Sequence, residues 1–427
     1  MELFLFLGSL FFFLAFGIPI AMVLVLCAMV LMFHADMWDS MTIASCMLDG
    51  ANNYPLMAIP FFVFAGEIMA AGGLSKRVVQ FAQLLIGGVR GGLGYAAIVA
   101  SILFAGLMGS SVGEAAALGG LLLPMMKQQN YIPGRAGAVI ASGAILGPII
   151  PPSTNFIILG SCVSGLSITK LFMIGLLPGI FIGLALMALW FVIVRIDGYH
   201  DNIKFTKEEK RKILIDASPA FMMPVLLLGG IRFGIFTPTE GGAFAAVYAL
   251  IVCLGWYREI GLRKVLEVSA ASARSTTAAV MMIVATATAI GYFITLADIP
   301  QQIISVFEPF KDSPTTLLLM INVFLFLIGM VMDLTPNVLI FAPVFYPLIL
   351  DAGIDPYHFG LIFILNLGIG VITPPVGTVL YVVCGIGNIK LPALVKNLLP
   401  FIVVEFMMLI LITIFPKLSL IPMNWLI

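Results

Sequence analysis

Charge is what this sequence has least of. Asp, Glu, Lys and Arg make up 10% of its 427 residues, where an ordinary soluble domain carries about 25%. Twenty-one basic residues balance twenty-one acidic ones, so the basic face that nucleic-acid binding needs is missing. The five cysteines (Cys27, Cys46, Cys162, Cys253, Cys384) are scattered, mostly inside apolar runs. They have neither metal-site spacing nor the pattern of a disulfide framework, and read as small core residues. There is no G-x-x-x-x-G-K-[ST] and no H-E-x-x-H, and the one strongly polar segment, 195–212, is too short for a nucleotide domain. Gly109-Ser110-Ser111-Val112-Gly113 spells G-x-S-x-G. That motif needs a strand-to-helix elbow, however, and here its flanks are transmembrane. An enzyme is not expected.

What is abundant is apolar length. Hydrophobic residues make up 61% of the chain, and runs of about 20 recur from end to end, which marks an all-α polytopic membrane protein. A first helix is expected over 3–33, kinked at Gly17 and Pro19. It lacks a basic leading region and a small-residue cleavage site, so it reads as retained. A polar connection, 34–49, precedes a second crossing at 54–72. An amphipathic stretch, 74–86, suits the membrane surface.

Two polar breaks then fall at membrane depth. Residues 91–126 carry one charge, Glu114, near Gly109-Ser110-Ser111-Val112-Gly113, and read as a re-entrant hairpin. Residues 136–169 carry none and are broken at Gly147-Pro148-Ile149-Ile150-Pro151-Pro152-Ser153, which reads as a discontinuous helix. Lipid cannot satisfy bare backbone groups, so both breaks must line a protein-enclosed cavity. Further helices are expected at 171–194 and 213–230, with a short surface helix from Lys207 between them, after Lys204. The pattern then restarts: a helix from Pro238 to near Trp256, a basic amphipathic stretch at 258–274, and a crossing at 276–296. A second hairpin follows at 313–350 with Asp333 its one central charge, then a second broken helix at 356–389 and a last helix at 391–414.

The restart is a repeat. A shift of 223 residues carries Gly106 to Gly329, Pro124 to Pro347, Gly147 to Gly370, and Pro151 and Pro152 to Pro374 and Pro375. Ser110 falls on Asp333 and Glu114 on Asn337. With the N-terminus inside and the hairpins re-entrant, 17 of the 21 basic residues face the cytoplasm, as the positive-inside rule favours. The second half is then inverted. The expected domains are residues 1–194 (first repeat), 195–230 (cytoplasmic connector and linking helix) and 231–427 (second repeat), the plan of many secondary transporters.

Helix ends at mid-membrane suit ions. N-terminal ends attract anions, and exposed carbonyls hold cations. Small oxygens cluster at the breaks: Ser110, Ser111, Ser153, Thr154 and Asn155 in one half, and Asp333, Thr335, Asn337, Thr373 and Thr378 in the other. A buried charge costs on the order of 3 kcal/mol, so one carboxylate per hairpin fits hard monovalent cations. Two Na⁺ sites are expected, with Asp333 as a ligand or neutralising carboxylate. Plainer readings stand beside these. Glu114 can be a helix-dipole partner, Asp333 a cap beside Asn337, and Ser and Thr can bond backbone carbonyls. His358 can be structural, Glu67 can pair with a basic neighbour, and the methionines can fill the core. With no nucleotide motif, energy must come from an ion gradient. Two cations entering down a tenfold gradient and 100 mV supply roughly 7 kcal/mol, ample to concentrate a monoanion.

Several strings resemble a known family. They are Pro60-Phe61-Phe62-Val63-Phe64-Ala65-Gly66-Glu67-Ile68-Met69, Gly72-Gly73-Leu74-Ser75-Lys76-Arg77, Ala141-Ser142-Gly143, Pro148-Ile149-Ile150-Pro151-Pro152-Ser153 and Ile372-Thr373-Pro374-Pro375-Val376-Gly377. Together they resemble the large membrane subunit of tripartite ATP-independent periplasmic (TRAP) transporters over essentially the whole chain. The resemblance implies Na⁺-driven uptake of an organic acid anion by an elevator-like motion in a bacterial inner membrane. It also implies two partners, a small four-helix membrane subunit expected as a separate chain and a periplasmic substrate-binding protein. Carried onto this sequence, it places Na⁺ at Ser110, Ser111, Gly113, Ser153, Asp333, Thr335, Thr373 and Gly377. Substrate falls at Thr154, Asn155, Asn337 and Thr378. Sialic acid, C4-dicarboxylates and sugar acids all occur as substrates in such systems, and overall resemblance leans slightly to sialic acid. A proton-coupled carrier of the same architecture, relaying through Asp333 or Glu114, is the alternative within the class; a channel or passive scaffold is the alternative outside it.

Overall fold

The computed structural model describes residues 2–163, 165–199 and 205–426, with the side chains of Ser275 and Thr276 left aside. Lys204 lies outside the described residues. Among those described, every regular element is helical, and seven helices are long and apolar enough to cross a membrane. One of the seven, Leu334–Asp351, is the returning arm of the second hairpin.

The expected first helix is not one kinked crossing. It is two helices, Glu2–Ala15 and Ile20–His34, folded back on each other. Ser9 Oγ donates to Cys27 Sγ at 3.5 Å, and Glu2 Oε1 lies 3.8 Å from His34 Nε2. Partners whose numbers sum alike belong to antiparallel arms. Gly17 at φ +72° supplies the turn, and Pro19 opens the second arm. The N-terminus therefore shares a face with His34, and the placement of these two at opposite faces is corrected. No Lys or Arg lies in this segment, so the bias of the remaining loops is kept with the N-terminus on the outer face rather than inside.

Two further boundaries move. The surface helix expected from Lys207 and the crossing at 213–230 form one helix, Lys207–Arg232. Its start is a capping box in which Thr206 and Glu209 satisfy each other's backbone N–H groups. The amphipathic 258–274 and the crossing after it are also continuous. Leu262–Ala271 passes through a wide turn, Ser272–Thr277, into Ala278–Leu296. The polar connection 34–49 ends in a helix, Ser40–Ala51, capped by Asp39, which accepts from Met41 N at 2.9 Å.

Both hairpins form. The first is Gly92–Met108 and Ser111–Gln128, the second Pro314–Gly329 and Leu334–Asp351. Both broken helices form as well. One is Pro133–Gly143 with Thr154–Cys162, the other Pro356–Gly370 with Thr378–Gly387. Packing is reciprocal between halves. Pro238–Leu250 lies on Ala58–Ala71, and Ile20–His34 lies on Ala278–Leu296. Likewise Lys207–Arg232 leans on Leu74–Ile86, and Glu2–Ala15 on Ile299–Phe307. Each hairpin also packs across halves, Ser111–Gln128 against Thr378–Gly387 and Leu334–Asp351 against Thr154–Cys162.

Glycine sets how closely the second hairpin approaches its break. A Cβ on Gly370 falls 2.6 to 2.8 Å from the Gly329 backbone, and backbone cannot swing aside. Gly370→Ala is expected to cost about 1–3 kcal/mol through overpacking. Thermal unfolding of the purified protein checks this, and an unchanged midpoint counts against it.

Candidate binding site between the hairpin tips

Each tip is a helix that ends, turns and restarts. Met108 closes the first arm, and Gly109 at φ +63° turns the chain. A side chain on Gly109 would come within 2.6 Å of the Pro152 carbonyl oxygen, so only glycine lets the tip lie on the break. Thr154 Oγ1 then donates to Gly109 O at 2.9 Å. In the second half Val376 N donates to Met330 O at 3.2 Å, joining that tip to its break. The Pro151–Pro152 and Pro374–Pro375 peptides are both cis.

The two halves meet around one cavity of about 340 Å³. Ser110, Ser111 and Gly113 enter it from the first tip, Thr154 and Asn155 from the first break, and Asp333 and Thr335 from the second tip. Thr335 Oγ1 donates to Asn155 Oδ1 at 3.4 Å, linking one half to the other. Asp333 stands at the N-cap position of Leu334–Asp351 but makes no capping bond with its side chain. Its Oδ1 accepts from Thr378 Oγ1 at 3.3 Å, and its carboxylate is exposed to the cavity. A pure capping role is therefore not what the geometry shows.

Other expected site residues lie behind this surface. Ser153 is fully buried, donates to Pro148 O at 2.5 Å and accepts from Phe156 N at 3.2 Å, capping Thr154–Cys162. Thr373 Oγ1 donates to Ile369 O at 2.7 Å, the plain backbone bond of a membrane threonine. Gly377, at φ +54°, sits before Thr378–Gly387. Asn337 is fully buried beneath the second tip and donates to Met332 O at 3.1 Å. The structure thus gathers Ser110, Ser111, Gly113, Thr154, Asn155, Asp333 and Thr335 at the cavity surface. Thr378 touches it through Asp333, while Ser153, Thr373, Gly377 and Asn337 form a layer behind.

Behind the tips, several oxygens lack hydrogen-bond partners: Ser111 Oγ, both Glu114 oxygens and Asn337 Oδ1. Glu114 and Asn337 are the repeat-related pair, and each is 0% exposed. Each sits near the start of a returning arm. A Cβ on Gly147 would meet Glu114 Oε2 at 2.8 Å, so the carboxylate presses against the first break. Two buried acceptors at equivalent places, Glu114 with only the Ser101 hydroxyl beside it and Asn337 Oδ1 with no donor among the described residues, suit a cation, which needs acceptors and brings no donor of its own.

Three helix N-termini aim at the cavity: Ser111–Gln128, Thr154–Cys162 and Leu334–Asp351. Among the described residues its lining holds two carboxylates, Glu67 and Asp333, and no Lys or Arg. An anion here is thus met by helix ends and backbone N–H groups. The sequence reading missed the opposite wall, Ile59, Val63, Glu67 and Val280. Glu67 carried a usable signal, a charge inside an apolar run. Gly66 lets the first tip reach that wall, since a Cβ there would stand 2.9 Å from Met108 Sδ.

Comparison with known proteins agrees with this architecture. The family model described as the DctM component of tripartite ATP-independent periplasmic transporters matches residues 7–418. The chain is 44% identical over 425 residues to the 2,3-diketo-L-gulonate TRAP transporter large permease protein YiaN of Escherichia coli (strain K12), covering 100% of each. It is 36% identical over 404 residues to the sialic acid TRAP transporter large permease protein SiaM of Vibrio cholerae, covering 95% of this chain and 94% of that one. The C4-dicarboxylate TRAP transporter large permease protein DctM of Pseudomonas aeruginosa is 35% identical over 397 residues, with 93% and 92% covered. The crystal structure of the Alcanivorax borkumensis YdaH transporter aligns with a TM-score of 0.65 at 13% identity, covering 88% of this chain and 87% of that one. That last likeness is one of fold.

Proposed function

The chain belongs to the family of TRAP transporter large permease subunits, multi-pass membrane proteins and not enzymes, and from that premise we propose that it drives uptake of an organic acid anion with Na⁺. The carrying observation is the cavity itself. Three helix N-termini converge on it, Asp333 faces it, and among the described residues no Lys or Arg lines it. The substrate carboxylate is met by the N-terminal turns at Ser111, Thr154 and Leu334. Na⁺ bound near Asp333 and behind the tips, at Glu114 and Asn337, offsets the acidic groups and completes the anion site. Substrate and ion then favour each other, which is the coupling that symport requires.

In this reading the two tip-and-break pairs, residues 91–169 and 313–389, move together as the carrier, in an elevator-like motion against the remaining helices. The division into residues 1–194, 195–230 and 231–427 remains part of the proposal. So do residence in a bacterial inner membrane and assembly with a small four-helix membrane subunit and a periplasmic binding protein. For the substrate, the relative at 44% identity is named for a sugar acid, and the sialic acid relative shares 36%. That order moves the weight from sialic acid to a sugar acid.

Reconstituted vesicles with both partners test this. At fixed pH, removing the inward Na⁺ gradient is expected to reduce uptake at least about tenfold, since each cation carries roughly 1.4 kcal/mol per tenfold gradient. Uptake indifferent to Na⁺ but driven by a pH gradient supports the proton-coupled carrier instead. Equilibration without accumulation supports a channel.

A further inference from the structure

A second cavity lies far from the hairpin tips. The turn after Leu74–Ile86 and the last turns of Ile168–Asp197 enclose a groove of about 570 Å³. Val89, Phe191 and Val194 give it an apolar wall, and Arg90 and Arg195 stand on it. The two arginines are more than 100 residues apart in sequence, and the fold brings them to one opening. The Arg195 guanidinium lies 4.2 Å from the centroid of the Phe191 ring. The ring covers one face of the planar fork and leaves its N–H edge free for an oxyanion. Among the described residues no acidic side chain lines the groove. The neighbouring carboxylate, Asp197, is engaged by Arg135 at 3.1 Å. Among the described residues neither Arg90 nor Arg195 belongs to an ion pair.

Position adds to chemistry. Loop charge puts this end of Ile168–Asp197 on the cytoplasmic face, so the groove opens at the membrane boundary. Phe191 and Val89 are 48% and 47% exposed, an apolar surface beside two cations that have no ion-pair partner among the described residues. A soluble anion would use the arginines and leave the wall idle. An anionic phospholipid uses both, with its phosphate on the guanidinium edges and its acyl chains along the wall. We propose that this groove is a binding site for an anionic phospholipid of the inner leaflet.

The test uses the full chain purified in detergent and titrated with short-chain phosphatidylglycerol, bound lipid being read by native mass spectrometry. Phosphatidylglycerol is expected to bind. Phosphatidylcholine with the same chains and glycerol phosphate without chains are expected to bind much more weakly. The double variant Arg90→Gln/Arg195→Gln is expected to weaken phosphatidylglycerol binding roughly 30-fold. Lys210→Gln/Arg211→Gln removes the same charge from an exposed part of the same face and is expected to leave it unchanged. Equal binding by the groove variant and the wild type overturns the proposal, and so does glycerol phosphate binding as tightly as the lipid. If the double variant does not survive purification, Arg195→Lys decides. It keeps the charge and loses the fork, and binding equal to wild type overturns the site.

Discussion

Asp333→Ala is expected to abolish Na⁺-dependent uptake while leaving the protein folded. The side chain contributes little to the frame: it makes no capping bond to its own helix, and it accepts from Thr378 Oγ1 at 3.3 Å. It contributes much to the field of the cavity, where it stands among helix N-termini with no Lys or Arg in the lining. A unit charge about 4 Å from a cation is worth about 4 kcal/mol at the effective dielectric of a partly enclosed site, or roughly a thousandfold in ion affinity. Asp333→Asn separates charge from shape, because the amide oxygen can still accept from Thr378. Uptake in vesicles, titrated with Na⁺, is the measurement. If the asparagine variant transports with wild-type Na⁺ dependence, the carboxylate is not part of the ion site. If the alanine variant fails to purify as a monodisperse protein, Asp333 holds the second tip together instead.

How much of this was legible before any coordinates depends on the kind of signal. Polar breaks inside apolar runs were, because charge and proline are scarce enough for Gly109–Glu114 and Gly370–Pro375 to stand out. Their pairing at a constant shift of 223 residues was also in the letters. The doubled-back first segment was not seen, although length argued for it. Thirty-one residues of helix reach about 46 Å, against a hydrocarbon core of about 30 Å. Gly17 and Pro19 suit a kink as well as a turn, and in the structure they make a turn. The far wall of the cavity was beyond reach for a different reason. Ile59, Val63 and Val280 sit on helices apolar all round, and hydrophobicity alone does not say which face meets a partner and which meets lipid. The layering within the site was hidden as well. Ser153 and Asp333 each stand at a break in sequence, yet one caps a helix behind the surface and the other faces the cavity.

Glu114→Gln is expected to raise the Na⁺ concentration for half-maximal uptake by about tenfold or more, and this follows from the inequality of the two halves. Glu114 and Asn337 occupy equivalent places, both wholly buried, but one is an acid and the other an amide. Asn337 spends its amide on Met332 O and leaves Oδ1 open. Glu114 has only the Ser101 hydroxyl beside it, with Gly147 against it, and no cationic partner among the described residues. A carboxylate enclosed with one hydroxyl has two resolutions, a bound cation or a bound proton. If it holds Na⁺, the glutamine variant keeps the volume and one acceptor, loses the charge, and needs more Na⁺ at every pH. If it holds a proton, the variant mimics the protonated acid. Its Na⁺ dependence then matches wild type, and any dependence of uptake on pH through this group is lost. If Glu114 only complements the helix dipole of Ser111–Gln128, the change costs about 0.3–1 kcal/mol of stability and alters neither dependence. Na⁺ titrations of uptake at two pH values, with thermal unfolding of the same preparations, separate the three. The first outcome gives each half one carboxylate at a different depth, Glu114 buried behind the first tip and Asp333 facing the cavity at the second, so the two ion sites should differ in affinity.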